Sequence, residues 1–77
     1  MNRKADRHAS ELVQAQQLQR DGKTLLAEKT LCNILAQDED HHAANYLLGM
    51  LYHQERQSSR AIYFLKRAVA ARPDDFV

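Results

Sequence analysis

Apolar positions along the chain gather into four blocks of roughly 12 to 16 residues, at about 8–21, 24–37, 41–55 and 58–71, separated by short polar joints. The joints are Asp21-Gly22-Lys23, Asp38-Glu39-Asp40 and Glu55-Arg56-Gln57-Ser58-Ser59, and Pro73 closes the last block. The blocks are rich in Ala, Leu, Gln, Glu, Lys and Arg and poor in Val, Ile and Thr, which predicts helices rather than strands. Spacing agrees. Leu31, Ile34 and Leu35 follow a helical period in the second block, with Leu25, Leu26 and Ala27 one or two turns earlier. Ala61, Ile62, Leu65, Ala68 and Val69 form a stripe at i, i+3, i+4, i+7 in the fourth. The third block, Ala43 to Tyr52, is apolar nearly all round, so its helix must be packed on more than one side. Thr24, Asp40 and Ser58 stand where helix N-caps are expected.

A longer period lies over the helical one. Shifted by 34, residues 8–41 fall on 42–75, and His8/His42, Ala9/Ala43, Ala27/Ala61, Leu31/Leu65, Ala36/Ala70 and Asp40/Asp74 coincide. Thr24 and Ser58 align as well. Two helices in each of two such periods is the pattern of a stacked helical array. Small residues have a geometric reading here. Gly49 and Ala15 lack bulk where paired helices cross, and Ala61 and Ala27 answer them from the partner helix, which lets the axes approach to about 8–9 Å. Leu48, Tyr52 and Leu65 fill the space around the crossing.

With Asn45, Leu48-Gly49, Tyr52, Ala61, Leu65, Ala68 and Pro73 in those slots, residues 42–75 resemble a tetratricopeptide repeat. Residues 8–41 are a degenerate copy, with Gln14-Ala15 for Leu-Gly, Leu18 for Tyr, Ile34 for the second Ala and Glu39 for Pro. Residues 1–7 read as an N-terminal extension, and Phe76-Val77 as the opening of a third repeat. The resemblance implies an all-α fold of two stacked helix-turn-helix hairpins, a fragment of a right-handed α-solenoid. It also implies a protein–protein interaction module, a scaffold or adaptor, that docks a peptide or helix in a concave groove. Leu12, Gln16, Gln19 and Arg20 from the first helix would line that groove with Tyr46, Met50, His53 and Gln54 from the third. Tyr46 and Met50 would give adaptable apolar contact, and the glutamines and His53 hydrogen bonds. The Lys and Asn clamp by which some family members grip a C-terminal carboxylate is absent, because its slots hold Leu12, Gln16 and Leu47.

Two repeats are fewer than the about three that such arrays need, and no polar unit caps the second. Ile62, Leu65 and Val69 would face a repeat that is not there, with Phe64 and Phe76 nearby. Two consequences are expected. Either the chain self-associates through that face as a homo-oligomer, or it is the N-terminal targeting part of a longer enzyme of the transferase type that such arrays often precede.

Composition narrows the chemistry. At 77 residues, 44% hydrophobic and 27% charged, the chain has room for one small globular domain. Such a domain buries only about 60% of its unfolded surface, which disfavours an enzyme with a deep, dry pocket. A charge of +1 argues against binding driven by nucleic acid or membrane. No apolar run reaches the roughly 20 residues of a membrane span. A single cysteine, Cys32, cannot form an internal bridge and points to a reducing, cytoplasmic setting; beside Leu31 it is expected to be buried or half-buried. The turn Asp38-Glu39-Asp40-His41-His42 has metal-ligating residue types. Adjacent helical histidines, however, point about 100° apart, so a metal site is not expected there, and His8 and His53 lie far off in sequence. No phosphate-cradling loop, nucleophile elbow or carboxylate pair is present, so no catalysis and no cofactor are expected. Between Arg56 and Pro73 stand Arg56, Arg60, Lys66, Arg67 and Arg72 with no acidic residue, which reads mainly as a solvated basic face.

Overall fold

Residues 3–71 are described in the computed structural model, with side chains from 8 to 70, and every regular element among them is an α-helix. The helices are α1 (Arg3–Arg20), α2 (Thr24–Gln37), α3 (His42–Gln54) and α4 (Ser58–Ala71). Helix α1 starts five residues before the predicted position, running through the segment read as an extension. Pro73 and the tail Asp74 to Val77 lie outside the described residues.

Backbone geometry explains where the helices stop. Gly22 has φ of 78°, and after it Lys23 N–H donates to Leu18 C=O at 2.8 Å while Gly22 N–H donates to Gln19 C=O at 3.1 Å. This paired 6→1 and 5→2 closure is a Schellman motif, which needs a left-handed residue after the helix. Helix α3 ends the same way. Arg56 has φ of 61°, Gln57 N–H donates to Tyr52 C=O at 2.9 Å and Arg56 N–H to His53 C=O at 3.0 Å. Gly22 and Arg56 are 34 residues apart, as are both ends of α2 and α4 and the C-terminal ends of α1 and α3. The period read from residue types is thus also a period of the backbone.

The starts of the helices differ from the expected caps. Thr24 is the first residue of α2, and the preceding Lys23 makes no side-chain cap bond. Ser58 likewise is the first residue of α4. At α3 the cap is His41 rather than Asp40: its ring Nδ1 accepts from Ala44 N–H at 3.2 Å. Asp40 is one residue too early to reach the free N–H groups, and its carboxylate lies instead 3.5 Å from the Arg67 guanidinium.

Helix α1 packs on α2 and α3 on α4; contact between α2 and α3 joins the pairs, and α1 touches α3 along a shorter line. Having three neighbours, α3 buries Ala44, Asn45, Leu48, Gly49, Leu51 and Tyr52, as its all-round apolar pattern requires. The core runs through Ala15, Leu31, Ile34, Leu48, Leu51 and Ala61, with Leu12, Leu35, Leu47 and Phe64 against its edge. Close approach of α3 and α4 does centre on Gly49, but the atoms it meets belong to Leu65, one turn beyond Ala61. A Cβ at Gly49 would sit 2.7 Å from Leu65 Cγ and 3.2 Å from Leu65 N.

Three sequence expectations change. Leu25 and Leu26 are 78% and 52% exposed, because 100° per residue carries them away from the Ala27–Leu31–Ile34 line. Cys32 is exposed for the same reason, one step past buried Leu31. The fourth block's stripe splits: Ala61 and Ala68 enter the core, whereas Ile62 and Val69 turn outward at 53% and 47% exposure.

Candidate functional site

The predicted groove residues occupy α1 and α3, the two helices that first occur in each 34-residue period. Leu12 is half-buried against the core, so it supports the surface more than it displays itself. Gln16 and Arg20 are exposed on α1, as are His53 and Gln54 on α3; Gln19 and Met50 are half-buried. Tyr46 is 47% exposed. The two sets meet at one end of the helices, where Gln19 Nε2 donates to Gln54 Oε1 at 3.0 Å. That bond fixes both amides and leaves each a further donor or acceptor position.

Where α3 meets α4 lies an aromatic cluster that no sequence expectation covered. Tyr52 stacks on Phe64 (centroids 5.7 Å, planes 25° apart), and Tyr63 meets Phe64 edge-on at 4.9 Å. Arg60 lies over the Tyr52 ring at 5.6 Å and Arg67 over Tyr63 at 5.7 Å. Tyr52 O–H donates to Glu28 Oε2 of α2, tying the two hairpins together. Burial first, and then the Glu28 carboxylate, push the Tyr52 hydroxyl up to about 12. Two of the basic residues expected on a solvated face, Arg60 and Arg67, are therefore engaged within the molecule. The Tyr52–Phe64 and Arg60–Tyr52 contacts depend on α3 and α4 adjoining, which no spacing within one helix reveals, whereas Tyr63 and Arg67 are an i,i+4 pair on α4 that the spacing could have shown.

The acidic, histidine-bearing turn also acquires structural work. Asn45, fully buried, donates from Nδ2 to Glu39 C=O at 3.1 Å and His41 C=O at 3.0 Å. Arg67 donates to Glu39 C=O at 2.8 Å from α4. His42 Nδ1 lies 3.0 Å from Ala68 C=O, for which the ring must carry its proton on Nδ1. His8, far away in sequence, packs its ring edge-on against His41 at 5.4 Å and is 2% exposed, with Glu11 3.3 Å from its Nδ1. Burial, followed by the neighbouring His8 and His42, lowers the affinity of His41 for a proton, against an opposing pull from Asp38. Among the described residues no three His, Cys, Asp or Glu side chains converge as a metal site would require.

Ile62, Leu65, Lys66 and Val69, which include the expected self-association residues, line a shallow, almost wholly apolar depression of about 310 Å³ on the outer side of α4. Though exposed, the Cys32 thiol is raised above its ordinary range by the partial desolvation that its neighbours impose and by the Glu28 carboxylate, so the thiol form dominates at neutral pH. No described helix is long and apolar enough to cross a membrane. Comparison with protein-family models, with curated proteins and with solved structures finds no significant match.

Proposed function

We propose that this chain is an interaction module of the tetratricopeptide-like kind, two helical hairpins stacked as a short right-handed solenoid, without catalysis of its own. What carries the reading is the recurrence at 34 residues of helix ends, left-handed caps and buried small residues, because one supersecondary unit used twice puts α1 and α3 side by side. The working surface is the α1–α3 face, with Tyr46 and Met50 as apolar anchors and Gln16, Gln19, His53 and Gln54 as hydrogen-bonding partners for an extended peptide. Its mechanism is passive. Helical elements hold these side chains in place before the ligand arrives, so little ordering cost opposes binding.

The test is selection of peptides from a displayed library, followed by affinity measurement on Tyr46→Ala and Met50→Ala. Both variants are expected to lose at least about tenfold, or 1.4 kcal/mol, in affinity. Selected peptides that bind both variants as tightly as the parent would refute the assignment of the groove.

A further inference from the structure

The two hairpins are equivalent in sequence register but not in what covers them. On α2, Leu31 is 1% exposed and Leu35 is half-buried, and the Tyr52–Glu28 bond marks the line along which α3 lies against this helix. Thirty-four residues later the same positions are Ile62 for Glu28, Leu65 for Leu31 and Val69 for Leu35. Ile62 and Val69 are half exposed, and Leu65 is only partly covered. The outer face of α4 thus continues an interface that the molecule already makes once, and makes it more apolar, since Ile62 replaces a carboxylate.

An occupant must therefore do what α3 does for α2: lie along the helix and present apolar side chains at helical spacing. The α1 of a second copy is unsuited to this. Where α3 has buried Leu48 and Leu51, α1 has exposed Gln14 and Gln17. Pairing of two α4 helices meets a charge problem. Arg60 and Arg67 are turned toward Tyr52, Tyr63 and Glu39, but Lys66 lies in the depression itself, so pairing would set one Lys66 beside another with no acidic residue on either helix to offset them. We infer that the α4 face docks an acidic amphipathic helix from another protein, its apolar residues seated on Ile62, Leu65 and Val69 and a carboxylate against Lys66. This site is separate from the α1–α3 groove and rests on the repeat register alone.

The probe is a labelled synthetic helix of about 18 residues with Leu at a and d positions and Ala and Glu elsewhere, read by fluorescence anisotropy. A second helix carries Lys in place of Glu. Expected is binding of the acidic helix that weakens at least tenfold on Val69→Asp, weakens with added salt, and is unchanged by Tyr46→Ala. Lys66→Glu, at an exposed position that leaves the fold alone, should shift preference toward the Lys helix. Equal binding of both helices, no binding of either, or insensitivity to Val69→Asp would overturn the assignment. So would a concentration-dependent mass of the chain alone, by light scattering, that Val69→Asp abolishes: the occupant would then be a second copy. Loss of the Tyr46-dependent peptide site would leave this result untouched.

Discussion

Replacing Gly49 by alanine tests the close approach of α3 and α4. Two effects oppose each other. Inside a helix, Gly→Ala gains about 1 kcal/mol from backbone entropy and propensity. Against it, the new Cβ would stand 2.7 Å from Leu65 Cγ, 2.8 Å from Cδ2 and 3.2 Å from the Leu65 backbone nitrogen. Cγ sits one bond from Cβ, so Leu65 cannot swing clear without leaving its rotamer, and the backbone contact forces α3 and α4 apart. Overpacking of this sort costs about 1–3 kcal/mol, and it wins by about 1 kcal/mol. For a chain of this size that is a fall in Tm of about 4–8 °C. Urea denaturation followed by circular dichroism reads the change as a lower midpoint with an unaltered slope. A double-mutant cycle isolates the cause. In a Leu65→Ala background the two shortest contacts vanish, and Gly49→Ala should become neutral or stabilising by up to about 1 kcal/mol. A stabilising effect of Gly49→Ala in the parent chain would refute the packing argument, because helix propensity would then outweigh the clash with Leu65.

Other consequences follow from the caps and titrating groups. Gly22→Ala should cost about 1 kcal/mol through its φ of 78° alone, since nothing lies within 4 Å of the new Cβ; Arg56→Gly, at the equivalent position with φ of 61°, should instead be neutral or stabilising by up to about 1 kcal/mol, and thermal melts compare the two. Tyr52 holds its proton up to about 12 in the folded state against 10 unfolded, so the unfolded chain binds fewer protons between those values and stability is lost as pH rises through them. Tyr52→Phe should lower stability by about 1–2 kcal/mol at neutral pH and remove that alkaline slope in denaturant titrations. His41 must be neutral to accept from Ala44 N–H, and its proton affinity is lowered on folding, so its contribution is complete above pH 6.5 and is lost as pH falls below that value. His41→Asn, which caps without titrating, should flatten the acid limb of the stability curve.

Legibility in the sequence followed the range of the interaction. Helix content and the joints rest on local propensity and on Gly22, and the observed helices α2, α3 and α4 stay within about one residue of the expected blocks. The N-terminal start of α1 was not legible, because Arg3 to Arg7 carries no apolar period and no break. Arg56 in a left-handed conformation was hidden too; residue type favours glycine there, and only alignment with Gly22 across the repeat exposes it. The groove residues come from the family resemblance rather than from spacing, and of them Gln19 and Gln54 meet across α1 and α3. Cross-helix groups such as Tyr52–Glu28, His8–His41 and Arg67–Glu39 depend on which helices adjoin, so spacing within one block could not supply them. Cys32 departs from expectation because successive helical residues stand 100° apart, so a place beside Leu31 in sequence gives no place beside it in the core.

Amide chemical-shift mapping of the labelled protein, titrated with a library-selected peptide, locates the binding face residue by residue. Perturbations are expected to concentrate on Gln16, Gln19, Arg20, Tyr46, Met50, His53 and Gln54, while Ile62, Leu65 and Val69 of α4 stay still. Perturbations gathered on α4, or on the Tyr52–Tyr63–Phe64 cluster where α3 meets α4, would contradict the assignment of the α1–α3 groove.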